Sequence, residues 1–307
     1  MKLSTSRAWL WRNFTWIAGT LTVFGIALLL IAKRNAILDF DWSISKGALT
    51  ASLVLLALAP LIQGATLWVC LRYLRVAAPF EDSLLVWTRG FLMRYAPSGA
   101  LQWVYRFKER DRLHASRAQI LAATGYEQLV AFAAAGVTCL TTFVAAGVQP
   151  PLLGLLLSAV AIGVAVAVRP GFLGQWLAAQ LTKRGYEHVT PLRGRRLVVL
   201  VCLNLVGWVA TSLGVYALVA GLSAESIDPF FLAGAFALAW MVGFLMPGFP
   251  GGIGSREAVL IVLLTPVFGL GPATTISIAL RLVTTLAEFV AIGLSELYYV
   301  LVRSRRY

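Results

Sequence analysis

Between Met246 and Glu257 the chain reads Met-Pro-Gly-Phe-Pro-Gly-Gly-Ile-Gly-Ser-Arg-Glu. Two prolines and four glycines in this stretch forbid a continuous helix. Ser255 suits the N-cap of a new helix, which the apolar run from Ala258 continues. A helix that starts here presents free N–H groups and the positive end of a dipole, and Arg256 adds a fixed charge at the same place. Gly252, Gly254, Ser255 and Arg256, with Glu257 beside them, therefore form a candidate anion site whose natural guest is phosphate. In the alternative reading, Arg256 and Glu257 pair with neighbouring helices and only hold the loop.

Three more ionisable residues fall inside apolar stretches, where such groups are costly and face the protein interior. Glu127 lies about nine residues into the stretch 118–146, and Arg281 lies at a similar depth in 273–302. Glu288 follows Arg281 by seven residues, on nearly the same helix face. The candidate pairs are Arg281 with Glu257, and Arg256 with Glu127 or Glu288. Substrate contact and a structural ion-pair network both remain open for Glu127 and Glu288, whereas Glu296 reads as structural.

Arg89, Arg94 and Arg106 flank a second break at Pro97-Ser98-Gly99. Arg94 and Arg106 are placed to guide an anionic headgroup, or else they follow the positive-inside rule and snorkel to lipid phosphates. Asp39-Phe40-Asp41 is an acidic pair in the first external loop. Membrane glycosyltransferases that use lipid-phosphate sugars carry such pairs to bind a metal or act as base. The loops here are short and no second acidic or histidine cluster accompanies the pair, which favours two solvated aspartates.

The elements that position these residues follow from composition. The 307 residues are 59% hydrophobic and 13% charged, with a mean hydropathy of +0.81. The bilayer is the solvent that suits such a chain. Uninterrupted spans are expected at 14–32, 48–71, 118–146, 152–168, 197–220 and 273–302. The stretches 83–105 and 229–268 are broken by Pro and Gly and read as re-entrant hairpins or broken helices, because a lipid-facing helix must satisfy its own backbone. With the N-terminus in the cytoplasm, 19 of 26 Lys and Arg residues fall in cytoplasmic segments, and only Lys33, Arg34 and Lys46 lie outside. Both termini are then cytoplasmic. The first hairpin enters from the cytoplasmic side and the second from outside.

The two halves thus carry the same elements in opposite orientation. Sequence supports the repeat: Trp87-Thr-Arg-Gly-Phe-Leu-Met93 aligns with Trp240-Met-Val-Gly-Phe-Leu-Met246, and at the same offset Pro97 meets Pro250 and Gly99 meets Gly252. Inverted repeats with paired Pro/Gly-broken segments mark secondary transporters, whose site lies between the repeats. The expected fold is an all-α polytopic membrane protein of two inverted-topology repeats, each with a Pro/Gly-broken re-entrant hairpin. As one integral membrane domain, 1–307, it divides into a first helix and external loop (1–47), repeat one (48–146), a connecting helix and basic loop (147–196), repeat two (197–302) and a tail (303–307).

The net charge of +13 is distributed as the positive-inside rule requires, and no nucleic-acid motif accompanies it. Cys70, Cys139 and Cys202 have no metal or disulfide spacing, and His114 and His188 lie in basic loops. No metal or other cofactor is expected.

Pro-Gly-Gly-Ile-Gly-Ser-Arg-Glu257, an apolar helix and then Arg281-Leu in the last helix resemble the lysylphosphatidylglycerol synthase transmembrane-region family. So do Arg94-Tyr-Ala-Pro97 with Arg106 downstream, Glu127 early in the next helix, and Leu203-Asn204…Trp208. The resemblance covers roughly 48–302. It implies a flippase-like fold of two inverted repeats, with some members translocating aminoacylated phosphatidylglycerol and stand-alone members associated with glycolipids or isoprenoid-linked sugars. Two departures stand out. Pro97-Ser98-Gly99 replaces the usual Pro-Gly, and no soluble aminoacyl-transferase domain follows Arg306, so synthase activity is not expected.

The expectation is a passive or ion-coupled lipid flippase of the cytoplasmic membrane rather than an enzyme. Its substrate would be a phospholipid or an isoprenoid-phosphate lipid. Two other readings are a membrane glycosyl- or phospho-transferase using Asp39 and Asp41, and an accessory subunit of an envelope-synthesis complex. A homo-oligomer or an envelope-synthesis enzyme is a conceivable partner; nucleic acid is not.

Overall fold

The computed structural model describes residues 44–95, 101–147, 179–180, 182–183, 185, 192, 194–223, 226–246 and 250–304. In chain order the elements are α1 (Lys46–Tyr73), α2 (Phe80–Leu92), a 3-10 turn (Met93–Tyr95), α3 (Leu101–Lys108), α4 (Arg117–Ala145), α5 (Arg195–Leu222), α6 (Pro229–Leu245), a second 3-10 turn (Pro250–Gly252), α7 (Ser255–Phe268) and α8 (Leu270–Ser304). Among the described residues there is no strand. Of the described helices four, α1, α4, α5 and α8, are long and apolar enough to cross a membrane. They match the expected spans 48–71, 118–146, 197–220 and 273–302, with α4 ending one residue short at Ala145 and α8 beginning three residues early. The spans expected at 14–32 and 152–168 lie outside the described residues, as do Asp39, Asp41, His188 and the Pro97-Ser98-Gly99 break.

Local chemistry sets the helix starts. Ser45 caps α1 by accepting from Ala48 N at 3.1 Å. Ser116 and Gln119 form a reciprocal capping box on α4. Asp228 caps α6 ahead of Pro229, whose missing N–H costs nothing at the first helical position. At 13 and 17 residues, α2 and α6 are each shorter than the roughly 20 residues a span requires.

Burial is arranged for an apolar surround. Val206, Val209 and Leu213 on α5, and Leu282, Leu286 and Phe289 on α8, are exposed, while Arg106, Glu127, Asn204 and Thr88 are buried. An aqueous fold would reverse this, whereas lipid favours apolar side chains outside and polar ones within.

Close helix approach depends on small residues. Gly207, Gly214 and Gly221 recur every seven residues on α5 along its seam with α1. A Cβ at Gly214 would come within 2.9 Å of Leu56 Cγ, and one at Gly221 within 2.7 Å of Ala48 Cβ. Because Gly221 faces the start of α1 and Gly207 faces Ile62, the two helices run antiparallel.

The C-terminal end of α1 meets the N-terminal ends of α4 and α5. Gln119 Nε2 donates to Leu74 O (3.2 Å) and Arg196 Nη1 to Tyr73 O (3.3 Å). Arg112 Nη2 donates to Tyr299 Oη (2.6 Å), which brings the last turns of α8 to the same end. This end collects Arg72, Arg75, Arg112, Arg117, Arg195, Arg196 and Arg303. Hence α1 and α8 run toward the basic end, and α4 and α5 run away from it.

Candidate functional site

The two broken pairs, α2–α3 and α6–α7, start at opposite ends of the molecule. α2 begins at the basic end, where Phe80 packs edge-on against Trp68 (5.4 Å) and Tyr298 (5.9 Å). α6 begins beside the far end of α4, with Phe231 against Phe143 (5.8 Å). The breaks meet: the turn Met93–Tyr95 contacts the turn Pro250–Gly252.

Each pair carries the same four-residue unit, built by i, i+3 and i+4 spacing on one helix face. Trp87 stacks on Phe91 (4.6 Å, 24°), and Trp240 stacks on Phe244 (5.6 Å, 26°). The glycine between them, Gly90 or Gly243, leaves room for an arginine from the returning helix. A Cβ on Gly90 would sit 3.3 Å from Arg106 Cγ, and one on Gly243 would overlap Arg256 Cγ. The guanidinium of Arg106 lies 5.4 Å from the Trp87 ring and that of Arg256 lies 5.9 Å from the Trp240 ring. These are cation–π contacts. The sequence repeat of Trp, Gly and Phe is therefore a structural unit, completed by an arginine that the fixed-offset alignment does not pair.

The carboxylates are placed as follows. Glu127 accepts from Arg106 Nη1 (2.7 Å), Trp87 Nε1 (3.1 Å) and Gln128 Nε2 (3.0 Å), with no exposure at all. Glu288 pairs with Arg94, whose guanidinium lies 3.7 Å from the Phe91 ring. Arginines of the first broken pair thus reach both carboxylates, Arg106 to Glu127 and Arg94 to Glu288. The expected pair Arg281–Glu257 is present at 3.6 Å. Glu257 Oε2 also accepts from Gly254 N (2.5 Å), so a carboxylate of the chain itself sits at the start of α7. Gly254, at φ +90°, takes the N-cap in place of Ser255, which becomes the first helical residue and donates its hydroxyl to Gly252 O (3.2 Å). A positive φ suits glycine, and that moves the cap one residue back.

α2 is also fastened to α8. Arg89 makes two bonds to Glu296 (2.6 and 2.9 Å), and the hydroxyls of Thr88 and Ser295 are 2.7 Å apart. At the basic end Arg112 bonds Asp82 and Tyr299. Partial burial opposes its charge, but the bonds to Tyr299 and Asp82 outweigh that and raise its pKa above the ordinary arginine value.

All eight described helices border one cavity of about 110 Å³. Arg94, Arg106, Glu127, Arg256 and Glu288 line it. Glu257 and Arg281 line a smaller cavity that shares Arg256, Trp240, Phe236 and Thr284 with the first. Gly252, Gly254 and Ser255 line neither; Gly254 N bonds the Glu257 carboxylate, and Ser255 bonds back to Gly252 O. Gly252 is tightly held, since a Cβ there would lie 3.0 Å from Gly243 O and 3.1 Å from Arg256 Nε.

Sequence reasoning missed Gln128, Gln102 and Thr284 on the cavity wall. It also assigned Trp87, Trp240 and Asn204 to motifs only. The i, i+3, i+4 spacing of Trp, Gly and Phe was the available signal for the tryptophans.

A comparison with curated proteins finds no match. The family model described as lysylphosphatidylglycerol synthase TM region matches residues 15–292. With four candidate spans and that match over most of its length, the chain is a multi-pass membrane protein and belongs to the lysylphosphatidylglycerol synthase transmembrane-region family.

Proposed function

We propose that the chain moves an anionic lipid, a phospholipid or an isoprenoid-phosphate lipid with or without a sugar, across the cytoplasmic membrane, as a transporter and not as an enzyme. Family membership ties it to membrane lipids. The observation that carries the reading is one cavity lined by arginines from both broken pairs, Arg94 and Arg106 from the first and Arg256 from the second. Across the two adjacent cavities, which share Arg256 in their walls, four arginines accompany three glutamates, which leaves an excess of positive charge for a headgroup phosphate. Trp87, Trp208, Trp240 and Phe244 supply apolar walls.

The opposite directions of the long helices in the two halves support reading them as inverted repeats. The short α2 and α6, starting at opposite ends, support reading the broken pairs as re-entrant hairpins that serve as inner and outer gates. The gathering of basic residues at one end supports cytoplasmic termini.

Translocation of a fluorescent anionic phospholipid and of an isoprenoid-phosphate sugar in proteoliposomes tests this. Wild-type protein is expected to move at least one of them, and Arg256→Ala to lose most of that activity. Folded wild-type protein that moves neither lipid would sink the reading.

A further inference from the structure

Three side chains on the cavity wall, Arg106 and Asn204 buried and Gln128 partly so, keep buried polar atoms without a hydrogen bond. Arg106, 1% exposed, uses Nη1 for Glu127, and its Nε and Nη2 have no partner. Asn204, 2% exposed, donates from Nδ2 to Leu200 O (2.9 Å) and Thr66 Oγ1 (3.3 Å). A carbonyl only accepts, so the amide nitrogen must face Leu200, and the atom left without a bond is the acceptor Oδ1. Gln128 is fixed in the same way. Its Nε2 meets the carboxylate of Glu127, which only accepts, and Oε1 is left over. Arg106 and Gln128 bond the same oxygen of Glu127 and so stand side by side.

Buried groups of this kind are expensive to leave unmet and are satisfied by whatever the site holds. The set contains donors and acceptors together. Arg106 suits a phosphate oxygen, but phosphate alone gives nothing to Oδ1 of Asn204 or Oε1 of Gln128. We propose that this wall reads a headgroup that carries a hydrogen-bond donor, a hydroxyl or an amine, beside its phosphate. A phosphodiester without a donor, or a fully methylated choline, leaves both amide oxygens buried and unmet, and a site built to bond a donor rejects the analogue that lacks it. The inference rests on the lipid-binding role proposed above and adds selectivity to it.

The test compares phosphatidylglycerol, phosphatidylethanolamine and phosphatidylmethanol as short-chain lipids, by thermal stabilisation of the purified full chain in nanodiscs. Phosphatidylmethanol has the same phosphodiester charge as phosphatidylglycerol and no donor. Wild type is expected to bind phosphatidylglycerol or phosphatidylethanolamine about tenfold more tightly than phosphatidylmethanol. A preference for the first assigns hydroxyl donors and for the second an amine. Asn204→Leu and Gln128→Met should each reduce the preference severalfold by weakening the favoured lipid. Equal binding of all three lipids by wild type would overturn the inference, with water alone meeting these groups. So would a preference that survives in both variants. Translocation of the same lipids, read in parallel, separates the two proposals: selective binding without movement sinks transport alone, and movement without selectivity sinks the headgroup assignment alone.

Discussion

In the first broken pair the returning helix supplies an arginine, Arg106, and the long helix after it supplies the carboxylate, Glu127. In the second pair the returning helix supplies the carboxylate, Glu257, and the long helix supplies the arginine, Arg281. Both pairs also lay an arginine over a tryptophan. In the first, that arginine and the carboxylate holder are one residue, Arg106. In the second they are two, Arg256 over Trp240 and Arg281 on Glu257. The first ion pair is closed, at 2.7 Å with side chains 1% and 0% exposed; the second is looser, at 3.6 Å with 15% and 11%. The second pair thus divides between Arg256 and Arg281 what Arg106 does alone in the first.

The sharpest way to break this comparison is to remove the two carboxylates in turn. Glu127→Ala leaves Arg106, 1% exposed, without its carboxylate and is expected to cost about 3–5 kcal/mol, seen as a large fall in thermal unfolding temperature in detergent. Glu257→Ala should cost clearly less, and equal losses would erase the distinction between the pairs.

The glycines offer a smaller test. Gly243→Ala pushes on Arg256 Cγ and is expected to cost about 1–3 kcal/mol. Gly90→Ala, whose new methyl meets Arg106 Cγ at 3.3 Å, should cost under about 1 kcal/mol by the same measurement. A reversed order would place the tighter arginine cradle in the first pair.

The smallest effect is expected where α2 meets α8. Arg89 and Glu296 have side chains 40% and 36% exposed, so Arg89→Ala should lower stability by under about 1 kcal/mol. A loss near that of Glu127→Ala would make the α2–α8 latch, and not the cavity wall, the anchor of the first pair.

Much of this was legible in the sequence because membrane constraints are strict. Twenty apolar residues need a helix, and Pro-Gly clusters in such a run need a break. That located α1, α4, α5 and α8 and the break around Pro250, while the first break was expected at Pro97-Ser98-Gly99, outside the described residues, and α2 already ends at Leu92. Burying an ionisable group demands a reason, which singles out Glu127, Arg256, Arg281 and Glu288, whereas Arg106 reads as a cytoplasmic basic residue and only the structure shows it buried. Partner choice was less legible. It depends on how the first pair leans on α8, which brings Arg94 to Glu288 and Arg89 to Glu296 across 194 and 207 residues of sequence. The capping of α7 by Gly254 turns on a backbone angle that Ser255, a good cap by type, conceals. Asn204 and Gln128 were hidden because a lone amide in a helix is ordinary until its neighbours are known.

The central claim is that arginines from the two pairs act on one anion in one cavity. A double-mutant cycle on translocation of a fluorescent anionic phospholipid tests it, using Arg94→Gln, Arg256→Gln and the double variant, each first shown to be folded. Residues that share a ligand couple, whereas independent sites add. The account predicts that the double variant departs from the product of the single losses by about tenfold. Losses that simply multiply would mean that each arginine meets a different partner, and the shared site would be contradicted.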